Sequence, residues 1–151
     1  MKFARAALAV LLMSFLPSLA LADSGMISKK SAHSVAETID RLEAILKEKG
    51  LTIFARIDHA AGAKKADLEL APTQVLIFGN PKLGTPLMAA SATTALDLPQ
   101  KALAYQDASG DVFLVYNNPA YLMARHEIAG RDEVLKKITG ALDNFTNAAV
   151  K

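Results

Sequence analysis

The sequence predicts an α+β fold: a single, mostly antiparallel sheet with two long helices packed on one face. Three observations carry this. Apolar residues recur at helical spacing in two long segments, one near each end of the chain. Between them lie short runs of β-branched, aromatic and aliphatic residues, punctuated by Gly, Pro and Asn. Turns that short join strands antiparallel. The order strand, helix, consecutive strands, helix then puts the helices on one side of the sheet.

The first residues read as a leader. Lys2 and Arg5 precede an uncharged apolar run, Ala6–Phe15, which Pro17 and Ser18 break. Ala20-Leu21-Ala22 sets small residues where a signal peptidase cuts, so residues 1–22 are expected to be removed and residues 23–151 to form one domain. The run is short for a membrane span. The mature protein is expected in the periplasm or outside the cell, without stable membrane insertion. Of the 17 Lys and Arg, two lie in the leader, which leaves 15 against 15 Asp and Glu. A formally neutral domain has no electrostatic basis for holding nucleic acid. There is no cysteine, so an exported chain must rely on packing alone.

Within the domain, Met26-Ile27-Ser28 can start a strand. Ser34 with Glu37 has the form of a capping box, and Val35, Ile39, Leu42 and Leu46 share a helical face. Lys47, Lys49 and Gly50 suit the end of that helix, expected over 33–49. Leu51 to Asp58 is strand-like. Alternation puts Ile53, Ala55 and Ile57 on one face and Phe54, Arg56 and Asp58 on the other. His59 to Gly62 ends it, and 64–70 reads as a loop or edge segment. Val75 to Phe78 is apolar at every position, as in a strand covered on both faces. Gly79-Asn80-Pro81 stops it. Thr85 can cap a short helix with Pro86 at its first position, closed by Leu98-Pro99. Strands follow at 101–107 and 112–116, joined by an Asp107–Gly110 turn. Asn118-Pro119 starts a further helical turn. Val134, Ile138, Ala141, Leu142 and Phe145 mark a last amphipathic helix at 132–149.

Two strands apolar on both faces exceed what two helices on one side can cover. Either the 85–96 segment crosses the other face, or a second copy of the chain does; a homodimer is the expectation.

Three groups of residues could carry chemistry. Gly79, Lys82, Gly84 and Thr85 lie between a strand and a helix with glycines spaced as in a phosphate-binding loop. Thr85 stands where that loop needs Lys, which leaves a weak anion site. His59 and His126, beside Asp58 and Glu127, offer a metal site if the fold unites them. Arg56, near Asp58, and Arg125 make either ion pairs or a grip on an anion. Asp97 and Lys101, around Pro99, are a further polar pair. Asn144-Phe145-Thr146 fits a glycosylation sequon.

RIDHAAGA at 56–63, PTQVLIFGNPKLGTPLM at 72–88, LDLPQKALAYQD at 96–107 and VYNNPAYLMARHEI at 115–128 together resemble domain of unknown function family 302. The resemblance implies a β-α-β4-α arrangement like that of the TATA-binding protein, and dimers. The family's activity is unassigned, so the resemblance carries over no catalytic residues and leaves any cofactor unknown. It draws Arg56, Asp58, His59, Lys101, Arg125 and His126 into one expected ligand site. The expected function is a homodimeric binding module for a small anionic or metal ligand. Two alternatives stand beside it: an enzyme, hydrolytic or redox-accessory, using His59 or His126, and a structural or partner-binding module.

Overall fold

A computed structural model describes residues 25–151; the expected leader lies outside the described residues. Strands β1 (Met26–Ser31), β2 (Thr52–Asp58), β3 (Thr73–Gly79), β4 (Gln100–Gln106) and β5 (Val112–Asn117) form one five-stranded sheet. Its spatial order is β1-β5-β4-β3-β2, antiparallel throughout. Helix α1 (Val35–Glu48) follows β1, and α5 (Asp132–Val150) ends the fold. Three shorter helices, α2 (His59–Lys65), α3 (Pro81–Ala90) and α4 (Pro119–Arg125), occupy connections, with a 3-10 segment at Ala92–Leu96. The order strand, helix, four strands, helix therefore holds, with small helices inserted.

The core lies between the two long helices and one sheet face. Val35, Ile39, Leu42 and Leu46 of α1 and Ile138, Leu142 and Ala149 of α5 are buried. They meet Leu76 and Phe78 of β3, Ala102 and Ala104 of β4, and Leu114 and Tyr116 of β5. Each large aliphatic side chain so buried contributes about 1.5–3 kcal/mol. Ser34 caps α1 by accepting from the Glu37 amide, one half of a capping box, while the Glu37 carboxylate turns to His33 Nδ1 at 2.9 Å. Helices α1, α2 and α4 all end in one way: the residue past the cap is left-handed, and the next amide reaches back to close the last turn. Gly50, Asp67 and Glu127 take that position.

Local structure departs from expectation in three places. Ile53 pairs with Phe78 and joins the core, yet Ala55 pairs with Ile77, so the register shifts across Phe54. This bulge breaks the alternation and frees the Phe54 ring to point elsewhere. The segment after β2 is helix, because the Asp58 carboxylate accepts from the Ala61 amide at 2.8 Å and caps α2. Helix α3 starts at Asn80-Pro81 rather than Thr85-Pro86. The Asn80 side chain accepts from the Lys82 amide at 2.9 Å, and the second proline falls inside the helix. The chain meets the earlier of two equivalent cap-and-proline pairs first and uses it.

The other sheet face carries Ile57, Val75, Leu103 and Val115 in one cross-strand row, with Tyr105 stacked on Phe113 at 5.8 Å beside it. None of these side chains is fully buried. Helix α3 does not cross this face: its Leu87 joins the core, and its first turns face α5.

Candidate functional site

The six residues expected to share a ligand site occupy two ends of the sheet. Asp58 pairs with Gln74, which pairs with Ala104. Lys101 stands three residues back along β4, about 10 Å nearer the opposite end. At the first end, Arg56 donates to Gln74 Oε1 and is paired with Asp40 and Glu43 of α1. Gln74 in turn donates to Asp58. Both charged residues are thereby spent on joining the edge strand to α1 and capping α2. His59 opens α2 and is exposed.

At the second end, Lys101, Arg125 and His126 do converge, on Asp97. His126 is buried. Its Nε2 lies 2.6 Å from Asp97 Oδ2 and its Nδ1 lies 2.9 Å from Thr93 Oγ1. An ionised carboxylate only accepts, so Nε2 donates to Asp97, and Nδ1 shares a hydrogen bond with the Thr93 hydroxyl. Arg125 reaches Asp97 at 3.3 Å, and Lys101 Nζ lies 3.4 Å from the Asp97 carbonyl. Among the described residues no group of three or more His, Asp or Glu is placed to hold a metal ion. Both ring nitrogens of His126 are engaged within the protein. The cluster ties the end of α4 to the chain just before β4, and so fixes Leu98, Pro99 and Gln100.

Those three residues form one wall of a cavity of about 190 Å³. The opposite walls come from Leu83, Gly84 and Met88 of α3 and Ile138, Leu142 and Phe145 of α5, with Phe78 and Gly79 at the base. Phe54, turned by the bulge and half exposed, also lines the cavity. Gly79, Gly84 and Thr85 of the expected anion loop face this space, whereas Lys82 is exposed and does not line it. No Asp, Glu, Lys, Arg or His is among its lining residues. The loop thus borders an apolar slot and not a phosphate cradle, since Gly84 and Thr85 are already wound into α3 with their amides inside the helix. The polar group that matters is Gln100. It is 8% exposed, lines the cavity, and its side-chain amide bonds to no described residue. One sign of it was in the sequence: Gln100 shares a strand face with Ala102 and Ala104, where an apolar residue belongs. The sequon at Asn144 has its Thr146 hydroxyl buried and bonded to the Leu142 carbonyl at 2.7 Å.

The family profile described as Domain of unknown function DUF302 matches residues 27–145. The chain belongs to the DUF302 family. A crystal structure of an uncharacterized conserved DUF302 protein from Bacillus stearothermophilus shares the fold, with a TM-score of 0.67 at 21% identity, over 85% of this chain and 97% of that one. Two curated relatives are named fluoride-specific ion channel FluC 1, from Brucella suis biovar 1 and Brucella abortus biovar 1. Each is 48% identical over 126 residues, which is 82% of this chain and 50% and 47% of theirs. The DUF302 chain therefore spans about half the length of the curated relatives it matches. Among its described residues no helix is long and apolar enough to cross a membrane.

Proposed function

We propose that this DUF302 chain is a binding module that takes a small molecule into the cavity between α3, α5 and the β3–β4 end of the sheet. One observation carries the reading. Gln100, 8% exposed as a residue, presents a side-chain amide with no partner among the described residues at the wall of an apolar space. A ligand in that space can take up its hydrogen bonds. Apolar lining with few polar groups is also the usual make-up of small-molecule sites. The test is a toluene titration followed by NMR of the methionine ε-methyl groups. Met88 lines the cavity and Met26 is exposed on β1. The Met88 resonance should shift saturably and the Met26 resonance should not. Ala141→Leu, which fills the space from α5, should abolish the shift while far-UV circular dichroism is unchanged. A Met88 signal that never moves, or moves equally in the filled variant, refutes the site.

A second reading concerns assembly, and the uncovered sheet face favours it. A row of Ile57, Val75, Leu103 and Val115 beside the Tyr105–Phe113 stack is a contiguous apolar surface of the kind that marks an interface. Its occupant in this proposal is a second copy of the chain, face to face across a two-fold axis. Light scattering over a concentration series should give twice the chain mass, and Leu103→Lys should give a monomer. A monomeric parent refutes it. A complex formed only with a channel polypeptide, as the names of the Brucella relatives suggest, would replace it. We further propose export, with the mature chain beginning at Asp23; N-terminal sequencing of the native protein decides this.

A further inference from the structure

Resting on the cavity reading above, we propose that its ligand is a neutral, compact aromatic molecule carrying one hydroxyl or carboxamide. The ring would lie among Phe54, Phe78, Phe145 and Met88, and the polar group on the Gln100 amide. Four observations lead there. First, the lining holds no ionisable side chain. A carboxylate or ammonium taken into such a space would lose part of its hydration with no countercharge, which is more costly than burying a neutral group. The expected anionic ligand is therefore replaced by an uncharged one. Second, the least exposed polar residue of the lining, which also holds Asn80 and Thr85, is Gln100, whose amide both donates and accepts. A hydroxyl or carboxamide can answer both halves of it, whereas a hydrocarbon answers neither. Gln100 also borders a void of about 10 Å³ shared with the buried Thr94 hydroxyl. That void has room for roughly one water, which would satisfy only part of an amide with about four hydrogen-bonding positions.

Third, the size is that of one ring with a substituent. A cavity of roughly 150 Å³ lined by apolar side chains accommodates benzene, and this one measures about 190 Å³. Three phenylalanines and a thioether favour an aromatic occupant over an aliphatic one of equal volume. Fourth, two glycines border the space for reasons the backbone does not supply. Neither Gly79 nor Gly84 has a positive φ. A Cβ at Gly84 would meet Leu98 Cδ1 at 3.6 Å and Met88 Cε at 3.9 Å, and one at Gly79 would meet Phe54 Cε2 and Pro99 Cβ at 3.5 Å. These are ordinary contacts, so the fold would accept alanine at both positions. What the missing methyls leave is room.

Benzamide, phenol, toluene and benzoate are titrated against the parent protein and Gln100→Met, with the Met88 methyl signal as readout. Benzamide and phenol should bind about tenfold tighter than toluene, the worth of one net hydrogen bond. Benzoate should bind more weakly than benzamide. Gln100→Met, close in volume but without the amide, should cost benzamide about tenfold and leave toluene within about twofold. If toluene binds but benzoate matches benzamide, or Gln100→Met changes nothing, the ligand class is wrong and the cavity reading survives. If no compound moves Met88, the cavity reading itself falls. The ranking in the parent protein decides the matter even if the variant fails to fold.

Discussion

Replacing Gly84 by alanine should make the DUF302 fold more stable and its cavity worse at holding a ligand. Gly84 lies inside α3, where glycine is about 0.8–1.0 kcal/mol less favourable than alanine. Its φ is ordinary and the added methyl finds Leu98 and Met88 at contact distance. Position near the start of the helix trims the propensity gain; contact with two apolar groups restores some of it. The sum is a stabilisation of roughly 1 kcal/mol. Urea unfolding followed at 222 nm reads this directly. With a slope of about 2 kcal/mol/M, the midpoint should rise by about 0.5 M at unchanged slope. Gly140 supplies the control. It lies inside α5, exposed, with ordinary φ and nothing within 4 Å of an added Cβ. Gly140→Ala should give a gain of similar size from propensity alone and leave toluene binding untouched, whereas Gly84→Ala should weaken it severalfold. If Gly84→Ala lowers the midpoint while Gly140→Ala raises it, glycine at 84 serves the backbone, and the argument from missing methyls fails. If both variants bind toluene as the parent does, the methyl at 84 does not enter the cavity.

Three other substitutions test separate parts of the structure. Glu127 holds a left-handed conformation, with φ 53°, at the end of α4, so Glu127→Gly should raise stability by roughly 1 kcal/mol in the same urea assay. Asp97→Ala removes the acceptor that holds the buried His126 and the Arg125 guanidinium, and should cost about 1–3 kcal/mol; it should also weaken toluene binding, because Leu98 to Gln100 lose their anchor. Lys29 donates to Asp143 at 2.7 Å, and that hydrogen bond, with the lysine's charge, holds the Asp143 carboxyl below its ordinary value of 3.8. A carboxyl lowered in the folded state adds stability above that ordinary value and loses it as pH falls through the lower folded one. The melting temperature of Asp143→Asn should accordingly lie slightly below the parent's at neutral pH and low salt, and the two should converge as acid protonates the folded carboxyl; a gap that stays constant as pH falls would refute the pairing as its cause.

The parts of this fold that were legible in the sequence are those set by neighbours a few residues apart. Val35, Ile39, Leu42 and Leu46 announce α1 because their spacing is the helix's own period, and Ser34, Glu37 and Gly50 mark its ends by local hydrogen bonding. Asn118-Pro119 and the Asp107–Gly110 turn are local in the same sense. What was hidden depends on competition or distance. Asp58 looked like a strand surface residue, since nothing in the sequence says that its carboxylate will cap a seven-residue helix containing Gly62. Asn80-Pro81 and Thr85-Pro86 present equivalent start signals, and only the folded chain chooses between them. The bulge at Phe54 is invisible to an alternation count because it is set by pairing with β3, not by β2 alone. Asp97 and His126 are separated by 29 positions, so no spacing rule joins them.

Several features that local sequence rules do not foretell meet in one place. Phe54 leaves its expected face, Gly84 sits inside a helix, Thr85-Pro86 is passed over as a start, and Gln100 occupies a core-facing position without a partner. Phe54, Gly84, Thr85 and Gln100 border the same cavity. Glycine inside a helix and a polar residue at a core-facing strand position each break a local rule, as Gly140 and the left-handed Asp67 and Glu127 do elsewhere in the chain. A chain that needed only to fold would gain by apolar packing at 100 and alanine at 84. Local rules broken together around one space are the mark of a site kept for something other than stability. Helix α1 and its Ser34 cap, by contrast, follow their own sequence signals. That irregular wall favours the proposed site at Gly79, Gly84 and Gln100 over the polar cluster around His126, whose two ring nitrogens already have partners within the protein.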